Sequence, residues 1–167
     1  MGTPEFAVAS LKALVNSNHD IVGVITAPDR PRGRGRKIGI SAVKVYALSK
    51  KLKVLQPENL KDELFIKELR VLKADLQIVV AFRMLPEIIW AMPKRGTFNL
   101  HASLLPDYRG AAPINWALAN GETETGVTTF FLDNKIDTGK IILQKKEVIY
   151  ENDDFGTLHN RLMLKGA

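Results

Sequence analysis

Asn99 and His101 flank a single leucine in Thr97-Phe98-Asn99-Leu100-His101, where apolar and polar residues alternate as in a β-strand. Alternation sets both side chains on one face, about 6.6 Å apart along the strand. The strand gives way at Pro106 to a loop rich in Gly, Ala and Pro, so the pair lies near the strand's C-terminal end, where open α/β sheets bind ligands. An Asn amide is a neutral donor suited to an oxygen that gains negative charge; a His donates to that oxygen or shuttles a proton near neutral pH. Downstream, Asp133-Asn134-Lys135-Ile136-Asp137-Thr138-Gly139 is a turn-forming loop with two carboxylates. A carboxylate beside such a His holds one tautomer or takes the proton through water. Alone, an Asn-x-His pair is more often a hydrogen-bonded packing feature of a strand end, and the acidic loop is what argues for a site.

The elements that position these residues alternate along the chain. Pro4 at a helix start and Phe6, Ser10, Leu11 and Leu14 at helical spacing predict a helix over 4–15, and Ile21 to Thr26 is the continuous apolar run of a buried parallel strand. Ser41 caps a helix through about Leu52, Lys53 to Leu55 is a short strand, and Lys61 to Leu72 is an amphipathic helix. Leu76 to Phe82 is a further buried strand; Pro113 to Asn120 reads as a helix, with Trp116 assigned to the core. Gly126 to Leu132 and Ile141 to Val148 are strands that pair across the acidic loop, and a last helix runs from Asp153 to about Lys165. Strand, turn and helix in this order predict an α/β fold with a doubly wound, mostly parallel sheet.

Composition narrows the class further. Over 167 residues, 46% hydrophobic and 25% charged, the chain is ordinary globular material for one domain with one core. No apolar run approaches the roughly 18 residues of a membrane span, and the opening Met1-Gly2-Thr3-Pro4-Glu5 has no signal-peptide pattern. The absence of cysteine excludes disulfides and thiolate metal sites and suits a cytoplasmic protein. His19, His101 and His159 lack ligand spacing, so no metal site is expected. The formal charge of +6 includes five cations within Arg30 to Lys37, leaving +1 for the rest. Basicity this local suits a polyanion, although a solvated basic loop has the same composition. Gly33, Gly35 and Gly39 miss the dinucleotide fingerprint by one position, with Ile38 where the third glycine would stand.

Asn99-Leu100-His101, Ser103-Leu104-Leu105-Pro106 and Asp137-Thr138-Gly139 together resemble the signature of the folate-dependent formyltransferases. Arg109-Gly110-Ala111-Ala112-Pro113-Ile114 and Asn120-Gly121-Glu122-Thr123-Glu124-Thr125-Gly126-Val127-Thr128 are most similar to the branch acting on methionyl-tRNA, and the likeness covers nearly every residue. It implies a Rossmann-like formyltransferase fold and a monomeric enzyme that moves a formyl group from 10-formyltetrahydrofolate to initiator methionyl-tRNA in translation initiation, with no metal. Asn99 and His101 would then serve the oxyanion, and Asp137, from Asp-Thr-Gly, would orient His101 and relay protons. No covalent intermediate is required, so no Ser-His-Asp arrangement is needed.

The resemblance further implies folate contacts from Phe82, Met84 and Leu85, from Ser103, Leu104, Leu105 and Pro106, and from Asp133, which also reads as a turn former. Relatives often have Tyr-Gly-Gln where this chain has Phe82-Arg83-Met84, so only main-chain contacts carry over there, and Met84 and Leu85 read equally as core. The basic loop, through Arg34 with Arg32, Arg36 and Lys37, would engage the acceptor stem; Arg32 stands where many relatives have a small residue. Family members carry an apolar strand running into Met-Gly-Thr-Pro and a C-terminal barrel after a linker. The expectation is therefore a catalytic domain over 1–167, truncated at both ends, with folate recognition retained and tRNA binding weakened. Formyltransferases acting on sugar nucleotides or glycinamide ribonucleotide, formylfolate hydrolase-like domains, and an inert RNA-binding module are the rival readings.

Overall fold

A computed structural model describes residues 1–32 and 37–167. Helix α1 (Glu5–Val15) starts after Pro4 with Glu5 in its first turn, which suits the positive end of the helix dipole. Strand β1 (Val24–Ile25) pairs in parallel with β4 (Val54–Leu55). Between them, β2 (Arg30–Arg32) and β3 (Lys37–Gly39) form an antiparallel hairpin. Helix α2 (Ala42–Ser49) is capped by Ser41, whose hydroxyl accepts from the Lys44 amide. Helix α3 (Glu63–Val71) is capped in the same way by Asp62, which accepts from Phe65 N–H; such caps are worth about 1 kcal/mol each.

Strand β5 (Gln77–Val80) runs parallel to β6 (Thr97–His101), with the short helix α4 (Glu87–Trp90) between them. Helix α5 (Pro113–Ala119) leads to the long strands β7 (Glu124–Phe131) and β8 (Ile141–Val148), both added antiparallel in the order β5-β6-β7-β8. Helix α6 (Phe155–Gly166) closes the fold behind a capping box of Asp154 and Thr157. Residues Met1 and Gly2 join the two parallel pairs. Gly2 N–H donates to Ile25 O at 3.0 Å, Val80 N–H donates to Met1 O at 2.9 Å, and Gly2 bridges Val80 in parallel. A cavity of about 680 Å³ is lined by Met1 and Gly2 together with Ile21 to Ile25 and Asp75 to Ile78.

Successive strand residues feed opposite cores, the mark of a doubly wound sheet. Val24 and Val80 pack with α1, α2 and α6 through Phe6, Val43, Leu158 and Leu162. Their neighbours Ile25 and Val79 pack with α3 and α4 through Phe65, Leu69 and Ile89. Parallel pairing is thus confined to the first half of the sheet, and the acidic loop closes the β7–β8 hairpin because two antiparallel strands need only a short connection. The exposure of Trp116, 57%, corrects its assignment to the core. Helix α5 buries Ile114 and Ala117, and the residue between them at position 116 falls on the opposite face. Among the described residues, no helix is long and apolar enough to cross a membrane.

Candidate active site

Register fixes the first two residues of the site. Asn99 sits between Val79 of β5 and Phe130 of β7, and His101 is opposite Thr128. Leu100 points to the other face and is buried in the core with Val80 and Val127. The turn that follows β6 is pinned from within. Ser103, fully buried, donates to Asp107 O at 2.6 Å. Thr128 donates to Ser103 O at 2.7 Å and accepts from Leu105 N–H at 3.1 Å, while Gln144 donates to Leu105 O at 2.8 Å. Thr128 and Gln144 escaped the sequence reading. The available signal is a pair of hydroxyls, Thr128 and Thr129, set between Val127 and Phe130 of an expected strand, since a hydroxyl that a strand buries needs partners.

His101 is 7% exposed. Its Nε2 lies 2.8 Å from Tyr108 O; a carbonyl only accepts, so Nε2 carries a proton, and in the neutral ring Nδ1 is bare. That bare nitrogen faces Asp137, whose Oδ2 is 3.7 Å away, too far for a direct hydrogen bond. Asp137 Oδ2 accepts from Gly110 N–H at 2.8 Å, and Arg109 Nε donates to Asp137 O at 3.0 Å. Asp137 has φ +52 and Gly110 φ +83; the glycine takes the left-handed conformation without steric cost, whereas the aspartate is held in it. A Cβ on Gly139 would lie 1.6 Å from Phe131 O, so the last residue of Asp-Thr-Gly admits no side chain. Asp133, exposed, is engaged within its own loop, accepting from Lys135 N–H at 2.9 Å and from the Thr138 hydroxyl at 2.9 Å.

Asn99, His101 and Asp137 share the wall of one cavity of about 890 Å³ with Phe82, Met84, Leu85 and Asp133. Its size is within the usual range for small-molecule sites. Leu85 is buried and also packs with Ile89 in the second core, while Met84 stands 73% exposed at the mouth. Just before them in the chain, Arg83 donates to Glu58 O at 2.8 Å and to Pro57 O, with its guanidinium 5.6 Å from the Phe82 ring centre. Desolvation lowers the Arg83 pKa, and the charge of Arg30 adds to that. Ser103, Leu104, Leu105 and Pro106 are not among the residues forming this wall; Ser103 and Leu105 are buried behind it.

The backbones of Arg32 and Lys37 pair across the β2–β3 hairpin, and Arg34 and Arg36 lie outside the described residues. The stem is tied down by Asp29, which pairs with Lys44 and accepts from Gln56 at 2.9 Å. Hydrogen bonding to Lys44 lowers the Asp29 pKa, with Gln56 contributing next. Among the described residues, no group of three or more His, Cys, Asp or Glu side chains is placed to hold a metal ion.

A family model described as formyl transferase matches residues 1–166. The chain is 66% identical over its whole length to a methionyl-tRNA formyltransferase from Flavobacterium psychrophilum, and 67% identical to one from Parabacteroides distasonis. It spans about half the length of these curated relatives, 53% and 52% respectively. Among solved structures, phosphoribosylglycinamide formyltransferase from Bacillus halodurans superposes with a TM-score of 0.78 at 23% identity, covering 99% of this chain and 85% of that one. The enzyme of the same description from Anaplasma phagocytophilum gives 0.79 at 21%, covering 99% and 77%. At such identity these two speak to the fold alone. With the family model matched across the sheet, the acidic loop and the Asn-x-His strand, the chain belongs to the formyl transferase family.

Proposed function

We propose that this chain is the catalytic formyltransferase domain that moves a formyl group from 10-formyltetrahydrofolate to the amino group of methionyl-tRNA, a soluble cytoplasmic reaction of translation initiation. The carrying observation is the cavity whose wall joins Asn99, His101 and Asp137 to the Phe82–Leu85 segment. Phe82, Met84 and Leu85 line the folate site with their backbone and apolar surface, and Asp133 sets the loop opposite. Ser103 to Pro106 act one layer back, as the pinned turn that carries Tyr108 to His101.

The reaction needs an oxyanion donor and one group that moves a proton. Asn99 donates its amide N–H to the formyl oxygen as the amine attacks the carbonyl carbon and charge develops there. His101 takes the proton of the attacking amine on its bare Nδ1, then returns it to the departing folate nitrogen, so protons balance without a covalent enzyme intermediate. While protonated, His101 also places positive charge beside the oxyanion. Asp137 stabilises that charge from 3.7 Å, and orientation of the ring comes from Tyr108 O. The basic residues Arg32, Arg34, Arg36 and Lys37 contact phosphates of the tRNA acceptor end.

Support for the acceptor comes from relatives of 66% and 67% identity that bear the methionyl-tRNA name. The test is a formyl-transfer assay with 10-formyltetrahydrofolate and three acceptors: methionyl-tRNA, glycinamide ribonucleotide and an amino-sugar nucleotide. Turnover with methionyl-tRNA well above the others is expected; faster turnover with either small acceptor would overturn the acceptor assignment.

A further inference from the structure

Three consecutive residues hold the two ionisable members of the site. Tyr108 O accepts from His101 Nε2 at 2.8 Å, Arg109 Nε donates to Asp137 O at 3.0 Å, and Gly110 N–H donates to Asp137 Oδ2 at 2.8 Å. Of these three, Tyr108 is the one under strain. Its φ is +55, a left-handed conformation that is unfavourable for a residue with a side chain. Something must hold it there for its carbonyl to reach the imidazole.

Outside the cavity, the Tyr108 hydroxyl donates to Glu122 and accepts from Asn120 Nδ2 at 3.0 Å. Both partners belong to the turn between α5 and β7, the latter being the strand that pairs with β6 beside His101. The Glu122 carboxylate raises the phenol pKa above its ordinary value, as expected where the protonated phenol is the donor. Asp137, on the far side of the ring, acts against Tyr108. A carboxylate facing Nδ1 recruits a proton to that nitrogen unless the proton is engaged at Nε2.

We infer that Tyr108 is a positioning residue: its hydroxyl, latched to Glu122 and Asn120, holds its carbonyl on His101 and so keeps the neutral ring protonated at Nε2 with Nδ1 free for the substrate amine. The catalytic part of this statement rests on the function proposed above; the tautomer part stands on geometry alone. Tyr108→Phe removes the latch with little change in side-chain volume, Glu122→Ala removes its acceptor, and Glu122→Gln keeps a neutral acceptor.

The experiment records the His101 ¹⁵N resonances of each protein under conditions that keep the ring neutral, together with kcat and KM for formyl transfer. The wild type is expected to show a protonated Nε2 and a bare Nδ1. Tyr108→Phe and Glu122→Ala should move population toward a protonated Nδ1 and lower kcat on the order of tenfold with KM for the folate donor little changed. Glu122→Gln should restore most of both. A wild-type ring protonated at Nδ1, or variants with wild-type tautomer and kcat, would overturn the inference. Absence of any formyl transfer by the wild type, with the tautomer shift still present in the variants, would refute the proposed function and leave the latch standing.

Discussion

Residues in this site divide between those that meet charge in the transition state and those that hold them. Asp137 faces His101 Nδ1 at 3.7 Å without a direct hydrogen bond, so its effect is greatest when the ring becomes charged. Asp137→Asn keeps an acceptor for Gly110 N–H and removes the charge. Its kcat for formyl transfer should fall roughly 10²-fold with KM nearly unchanged, the signature of an interaction made only in the transition state; an equal rise in KM would place Asp137 in ground-state binding instead. Asn99 and His101 could be set on one face from side-chain type and strand alternation, whereas Asp137, in the loop between β7 and β8, was singled out only by the family resemblance of Asp-Thr-Gly. Tyr108 O was not legible, since a backbone carbonyl has no residue signature and its aim depends on a φ of +55. Thr128 and Gln144 were missed for a related reason: each reaches the turn across the sheet from β7 and β8, so sequence spacing carries no trace of the contact.

Among the elements, those with a period or a cap were readable: Ser41 caps α2 as expected, and the amphipathic period over 61–72 marks α3, whose cap, Asp62, falls one residue inside the expected start. The β2–β3 hairpin was hidden because Arg and Gly carry little strand signal; pairing of Arg30 with Gly39 depends instead on a stem anchored by Asp29. Trp116 was misplaced because a helix as short as α5 buries only a narrow face. Helix α6 has two separable attachments. Leu158 and Leu162 are fully buried against the first core, and Leu162→Ala should destabilise the fold by about 2–5 kcal/mol in urea titration. On its polar side, Arg161 binds Asp153 and Glu147, and Lys165 also pairs with Glu147. Hydrogen bonding to Arg161 holds the Asp153 carboxyl well below its usual range, and Lys165 lowers Glu147, with Arg161 assisting. Carboxylates depressed in the folded state contribute stability above their unfolded values near 4 that is lost as pH falls through the lower folded ones. The melting temperature should therefore decline as pH drops below about 4, and the decline should shrink in Asp153→Asn; an unchanged acid limb would show that α6 is held by its apolar face alone.

At the scale of the whole molecule, the basic segment and the cavity are drawn from different stretches of chain and come together at Arg83, a residue of the cavity wall on which the charge of Arg30 acts. Five of the cations lie within Arg30 to Lys37, three of them on the strands of the hairpin, while the cavity wall is drawn from β5, the Phe82–Leu85 segment, β6, the turn before α5, the acidic loop and residues of α1, α4, α5 and α6. Reversing Arg34 and Arg36 to Glu should weaken tRNA binding and flatten its salt dependence, leaving stabilisation by a formyl-tetrahydrofolate analogue intact. Equal loss of both ligands would contradict this division of labour. The doubly wound half of the fold was legible from alternating strand and helix signals, whereas the joining of β1 to β5 through Met1 and Gly2 rests on backbone hydrogen bonds that residue types do not advertise. The most direct test of the central claim is the single-turnover rate of formyl transfer to methionyl-tRNA by His101→Ala at saturating donor, with donor-induced thermal stabilisation as the control for binding. A rate reduced by at least about 10²-fold with stabilisation retained is predicted. An undiminished rate would contradict the assignment of proton transfer to His101 and, with it, this account of the site.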